Sequence, residues 1–267
     1  MNITPLMDEL SLWVISVALV LSILFSIEVG FQLGKRQRRR SPKGEKIETG
    51  AVVAASLGLL AFMLAFTFGA VTSNFTERKQ LLLEEVNSIG TLFLRADLLP
   101  NPERSEVKAI LSNYVTLRIE MLHDNDRLQK AKQATTKFEE MQDDLWQKAV
   151  AVSEPNPTPL NALFLQSLNE MIDLHQKRYA VALYQRMPTI FWITLIGLAI
   201  LAMMIGGYNS GVSGGRRSLT ATLGVTLAFS AVILLIIALE RPGLVIVNQD
   251  LMVQLQEDIN NSMQSQR

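Results

Sequence analysis

Cysteine is missing from all 267 residues, so the chain can build neither a disulfide framework nor a thiolate metal site. Histidine is almost missing as well. His123 and His175 have no partner at metal-ligand spacing, and each reads as a surface residue rather than a ligand. There is no nucleophile elbow, no HExxH helix and no nucleotide fingerprint. The adjacent carboxylates Glu84–Glu85 and Asp143–Asp144 are helix neighbours that do not face each other, and they read as solvated charges. No segment alternates apolar and polar residues as a half-buried strand would. No catalytic residue, cofactor site or metal site is expected, and the chain is not expected to be an enzyme.

Charge is missing from four long stretches. Thr49 to Thr76 carries none, and neither do Leu10–Ile27, Met187–Gly215 and Ser218–Leu239. About 20 apolar residues cross a hydrocarbon core of ~30 Å, and each run meets or nearly meets that length. The predicted fold is an all-α membrane protein with four transmembrane helices in two hairpins. A soluble helical bundle is inserted between the second and third spans. The expected domains are a first hairpin with a basic loop at 1–76 and a soluble helical domain at 77–187. A second hairpin at 188–240 and a C-terminal tail at 241–267 follow.

Basic residues are missing before the first span, where Met1–Leu10 holds only Asp8 and Glu9. Without a basic leader region, the first span is expected to be retained rather than cleaved. After it come Lys35, Arg36, Arg38, Arg39, Arg40, Lys43 and Lys46, against only Glu45 and Glu48. Such a run could be a nucleic-acid or anionic-lipid patch. Beside a spanning helix it reads first as a positive-inside anchor, and no nucleic-acid partner is expected. The rule places the basic loops 34–49 and 209–217 in the cytoplasm, and the helical domain and both termini outside it. The expected setting is a bacterial inner (plasma) membrane, crossed several times.

The second run organises the chain. No proline interrupts it, and beyond Glu77 the residues Leu82, Val86, Ile89, Phe93, Ala96 and Leu99 recur at spacings of three and four. One helix is therefore expected to cross the membrane and continue as a stalk to Leu99-Pro100. Ser56, Thr67 and Asn74 fall on one face of its first part, beside Met63, Phe66 and Ala70. Two readings stay open: a weakly polar stripe lining a pore with an apolar neck that gates by dewetting, or small-residue helix packing within one subunit.

The soluble block reads as helices only. Asn101-Pro102-Glu103 looks like a helix start with asparagine as N-cap, followed by Val107, Ile110, Leu111, Tyr114, Leu117 and Met121 as an apolar stripe. A break is expected at His123–Asp126. In the next helix, Arg127 to Val152, Leu128, Ala131, Phe138, Met141, Leu145 and Trp146 are the expected buried positions. Pro155, Pro157 and Pro159 make a linker before a last helix of about Leu160 to Arg186. Pro188 either kinks that helix into the third span or starts the span afresh. The stretch from Gly206 to Arg217 reads as a flexible basic turn.

Several segments resemble a known family. Leu64-Ala65-Phe66-Thr67-Phe68 through Phe75-Thr76-Glu77-Arg78-Lys79-Gln80-Leu81 is similar to the pore-helix stretch of bestrophins. Glu84–Thr91 followed by Leu94–Pro100 resembles a bacterial family of bestrophin-like membrane proteins. Leu239-Glu240-Arg241-Pro242-Gly243, with Asn248 and Asp250-Leu251 beyond it, is similar to that family's acid-Arg-Pro ending. The resemblance implies a homo-oligomer, expected to be a pentamer, in contact with membrane lipids and small inorganic ions. Its second helices would surround an ion-conducting neck, with Met63, Phe66, Thr67 and Ala70 facing the axis. Thr67 stands where bestrophins carry arginine, and bestrophins keep their helical domain in the cytoplasm. The leading expectation is an oligomeric ion channel or channel-like protein. The alternative is a non-conducting membrane scaffold or envelope sensor acting through the soluble helices.

Overall fold

The structure is a computed structural model that describes residues 10–40, 49–121, 127–155, 157–214, 219–241 and 250–265. Among them there are helices and no strands. The α-helices are α1 (Leu12–Arg40), α2 (Gly50–Arg95), α3 (Glu103–Glu120), α4 (Arg127–Ser153), α5 (Pro159–Tyr184), α6 (Thr189–Ser213), α7 (Leu219–Glu240) and α8 (Asp250–Ser265). Four are long and apolar enough to cross a membrane: α1, α2, α6 and α7. The chain divides into two compact units, one of Met1–Phe75 with Arg186–Val245 and one of Thr76–Gln185 with Ile246–Arg267.

Helix α2 is unbroken over 46 residues. At about 1.5 Å per residue it measures about 69 Å, more than twice a hydrocarbon core of ~30 Å. It tightens into a 3-10 turn at Ala96–Leu98 and stops at Leu99, which is extended because the residue before a proline is pushed out of the helical region.

In the first unit, α1 and α6 touch backbone to backbone. A Cβ on Gly30 would stand 1.9 Å from the Met204 carbonyl oxygen, and one on Gly34 would stand 2.2 Å from that of Tyr208. On the other helix, Gly207 and Gly211 press on the Ile27 and Phe31 carbonyls at 2.2 and 2.4 Å. Both sets advance together in number, so the two helices run parallel. Only glycine fits at such a crossing. The stretch read as a flexible turn is therefore helical through Ser213, and the turn reading is corrected. Glycine costs about 1 kcal/mol of helix propensity relative to alanine, and the close contact with α1 offsets it. Residues 34–40, read as loop, likewise continue α1. The unit's core joins Ile23, Leu60, Val71, Leu195, Ala202, Ile233 and Ile236.

Helix α6 starts afresh after Pro188, because Gln185 at φ −88° and ψ 69° leaves the helical region. Its opening is tied to the end of α7, where Glu240 Oε1 accepts the Met187 backbone N–H at 2.7 Å. The next residue, Arg241, donates from Nη1 to the Leu10 carbonyl at 2.9 Å, at the mouth of α1.

The second unit packs the rest of α2 with α3, α4 and α5 around one core. Leu82, Val86, Ile89, Phe93, Ala96 and Leu99 are all buried there, as their period predicts. Tyr114, Phe138, Leu145, Phe164, Leu168 and Met171 supply the other helices' share. Helix α3 begins one residue later than its sequence suggests: Pro102 is the N-cap and no side chain caps it. Trp146, expected inside, is 41% exposed. Thr158 caps α5 by accepting the Asn161 N–H at 3.2 Å. The tail carries α8, whose Met252 and Ile259 are buried with Leu255 and Met263 beside them, a spacing of three and four that lays one face on the bundle. The break expected at His123–Asp126 lies outside the described residues.

Candidate functional site

Two arrangements stand out, one on the face of α2 and one in the core of the second unit. The first part of α2 turns Leu60, Leu64, Thr67 and Val71 into its own chain, at spacings of four, three and four. The opposite face is open. Ala51, Ala55, Gly58, Phe62, Ala65, Phe66, Gly69 and Ser73 lie along it, with Phe62 66% and Phe66 55% exposed. A Cβ added at Gly58 or Gly69 would meet nothing within 4 Å. Farther along the same helix the exposed positions Gln80, Leu83, Asn87, Thr91, Leu94 and Leu98 keep that spacing.

Other membrane-length helices present a different surface. Helix α1 exposes Trp13, Val14, Val17, Leu21 and Phe25, while α7 exposes Leu223, Leu227, Val232 and Leu235. Those are the bulky apolar side chains that lipid tails accept. Helix α2 also exposes Val52, Leu59, Phe62, Phe66 and Phe68, but between them its open face is alanine, glycine and serine, the small residues that let protein approach protein.

The six residues singled out from the sequence fall on different sides. Phe66 stands open. Thr67 is 2% exposed and donates its hydroxyl to the Met63 carbonyl at 2.7 Å. Met63 and Ala70 are partly buried against the first unit's core. Ser56 donates to the Val53 carbonyl at 2.9 Å and is half-buried, as is Asn74.

The second arrangement centres on Glu85. It was read as solvated, but it is fully buried. Arg118 Nη2 of α3 donates to its Oε1 at 2.8 Å, and Arg178 Nη1 of α5 donates to its Oε2. His175, read as a surface residue, is 6% exposed. Its Nδ1 lies 2.8 Å from the Tyr114 hydroxyl and 4.0 Å from Glu85 Oε1. Phe138 of α4 closes the cluster, with its ring 5.1 Å from that of His175 and the Arg118 guanidinium 5.2 Å above it.

Burial, reinforced by the two guanidiniums and opposed by Glu85, pushes His175 down to about 4. Burial first, and then Glu85, raises the Tyr114 phenol well above its usual range, against the lowering by the arginines. Burial also lowers Arg178, with Glu85 opposing. At neutral pH the imidazole is therefore uncharged and the tyrosine keeps its proton. The hydroxyl and Nδ1 share one hydrogen bond, whose direction follows the imidazole tautomer. One carboxylate between two arginines leaves the cluster with a net positive charge.

The signal for this cluster was present in the sequence. Glu85 falls on the stripe of Leu82 and Ile89, His175 and Arg178 on that of Met171, and Arg118 on that of Tyr114. Charges of opposite sign at stripe positions of several helices mark a buried pairing. Asp143 and Asp144 are exposed, as read. His123 lies outside the described residues. Among the described residues no three His, Cys, Asp or Glu side chains gather as a metal site.

Four helices long and apolar enough to cross a membrane, with only helices among the described residues, define the class as all-helical and membrane-spanning in character. The chain belongs to the bestrophin-like family, whose domain matches residues 13–242. Its fold is similar to the crystal structure of a bacterial bestrophin homologue from Klebsiella pneumoniae, solved as a tryptophan-to-alanine mutant. The TM-score is 0.63 at 13% identity, covering 90% of this chain and 96% of that one. No curated protein matches the sequence.

Proposed function

We propose that the protein is a subunit of a homo-oligomeric ion channel, a pentameric ring in a bacterial inner membrane, with α2 of each subunit facing a shared axis. The observation that carries this reading is the open face of α2, rich in small residues, which none of the other described residues covers. Bestrophins are channels, and family membership supports the reading. On this reading Phe62 and Phe66 form an apolar neck that gates by dewetting, and Gly58, Gly69 and Ser73 widen the path on either side. Thr67 supports the neck from behind rather than lining it, as do Met63 and Ala70. Ser56 and Asn74 flank the conduit at the two ends of the span. The permeant species is a small inorganic ion. The basic segments 34–49 and 209–217 face the cytoplasm under the positive-inside rule, with the helical domain and both termini outside.

The test is ion flux through the purified chain in liposomes. Wild type is expected to pass small ions, and Phe66→Ala to raise the flux by opening the neck. Protein that is inserted and ring-shaped but leaves the bilayer tight would refute conduction and point to a scaffold or sensor. Unchanged flux in Phe66→Ala would remove that side chain from the neck.

A further inference from the structure

The positive-inside rule needs only the number of charges near a span, not their arrangement. The structure adds an arrangement. Helix α1 has 29 residues, about 43 Å at ~1.5 Å per residue, which matches the 40–45 Å of a bilayer with its headgroups rather than the ~30 Å of hydrocarbon alone. Its last two turns therefore lie at headgroup depth when the apolar part spans. Those turns carry Lys35, Arg36, Arg38, Arg39 and Arg40.

The five cations are not equivalent. Arg38 is held, because its guanidinium lies over the α-carbon of Gly214, at φ +67° the residue that ends α6. There it meets the negative end of that helix's dipole. Arg36, Arg39 and Arg40 are spaced three and four apart, which puts them on one helical face with Cβ atoms some 5–6 Å apart. All three are exposed, and among the described residues no acidic side chain pairs with them. Like charges at that spacing repel, which weakens a helix unless an anion sits between them. The backbone beneath them is fixed, since Gly34 packs on Tyr208 and Gly211 on the Lys35 backbone within one turn.

We propose that Arg36, Arg39 and Arg40, with Lys35 beside them, form a binding site for the phosphate groups of anionic phospholipids at the end of α1. Planar guanidiniums bind phosphate with two parallel hydrogen bonds each, which an ammonium cannot do. The α1–α6 glycine contact fixes the backbone that carries the three forks, so little backbone freedom is lost on binding. The apolar stem of the same helix keeps the site at the depth where lipid phosphates lie. Free phosphate lacks the acyl chains that anchor the ligand there.

The test uses the full chain in nanodiscs of phosphatidylcholine, alone or mixed with phosphatidylglycerol, and counts the anionic lipid retained when the protein is returned to mild detergent. Wild type should retain phosphatidylglycerol in preference to phosphatidylcholine. Each basic side chain near an anionic surface contributes about fivefold, so R36Q/R39Q/R40Q should lower retention by roughly 100-fold. Removing charge can also disturb insertion, so R36K/R39K/R40K is measured alongside. It keeps the positive-inside charge and should insert normally, yet retain several-fold less lipid than wild type. Equal retention of the two lipids by wild type would overturn the proposal. So would lysine-variant retention equal to that of wild type, or displacement of the lipid by millimolar inorganic phosphate.

Discussion

Acid should loosen the second unit through His175, and the size of the effect follows from its surroundings. The imidazole is held at about 4 against an ordinary 6.5, by burial first and the guanidinium of Arg118 next. A folded-state value below the unfolded one means that the unfolded chain binds the proton more readily. The contribution to stability is therefore complete above pH 6.5, declines as pH falls, and is fully lost below about 4. A gap of about 2.5 units at ~1.4 kcal/mol each gives a loss of about 2 kcal/mol by pH 5 and about 3 kcal/mol by pH 4. Protonation also makes both ring nitrogens donors, so the imidazolium can only donate to the Tyr114 oxygen. Thermal melting of the full chain in detergent between pH 7.5 and 4.5 measures the slope. His175→Gln keeps a group that can accept from Tyr114 but does not titrate. Its melting point should fall less steeply with acid than that of wild type, the difference opening below pH 6.5. Parallel slopes in the two proteins would refute the assignment, because the many surface carboxylates contribute equally to both.

Two further outcomes rest on single positions. Glu85→Ala would leave two guanidiniums facing each other in the core, a loss of about 3–5 kcal/mol, seen as a lower melting point that Glu85→Asp only partly restores. Gly207→Ala would drive a methyl into the Ile27 carbonyl. It should cost about 1–3 kcal/mol, read as faster thermal inactivation in detergent, whereas alanine at Gly58, where a Cβ meets nothing within 4 Å, should leave the single chain as stable or up to about 1 kcal/mol more so.

What could be read from the sequence was local periodicity. The stripe from Leu82 to Leu99, the spans and the start of α5 after the proline linker each depend on residues within a few turns, and each is found. What could not be read depended on distant partners. Gly207 and Gly211 resemble a turn until Gly30 and Gly34, more than 170 positions earlier, are placed against them. Glu85 resembles a solvated acid until Arg118 and Arg178, 33 and 93 positions later, close on it. Thr67 shares a weakly polar stripe with Ser56 and Asn74, but polarity does not tell which side of a helix its own chain covers. Burial decides that: it leaves Phe66 open and covers Thr67, its neighbour in sequence.

Glu240 and Arg241 have a consequence for how the chain is made. Consecutive side chains hold the entrance of α6 and, across 231 positions, the entrance of α1. A ribosome must therefore add 231 residues after Leu10 before α1 gains the clasp that secures its beginning. Its seam with α6, where Ser26 also donates to the Ile200 carbonyl, waits in turn for a helix that is synthesised late. Helix α1 is made long before it is fastened, and that interval leaves it open to other partners.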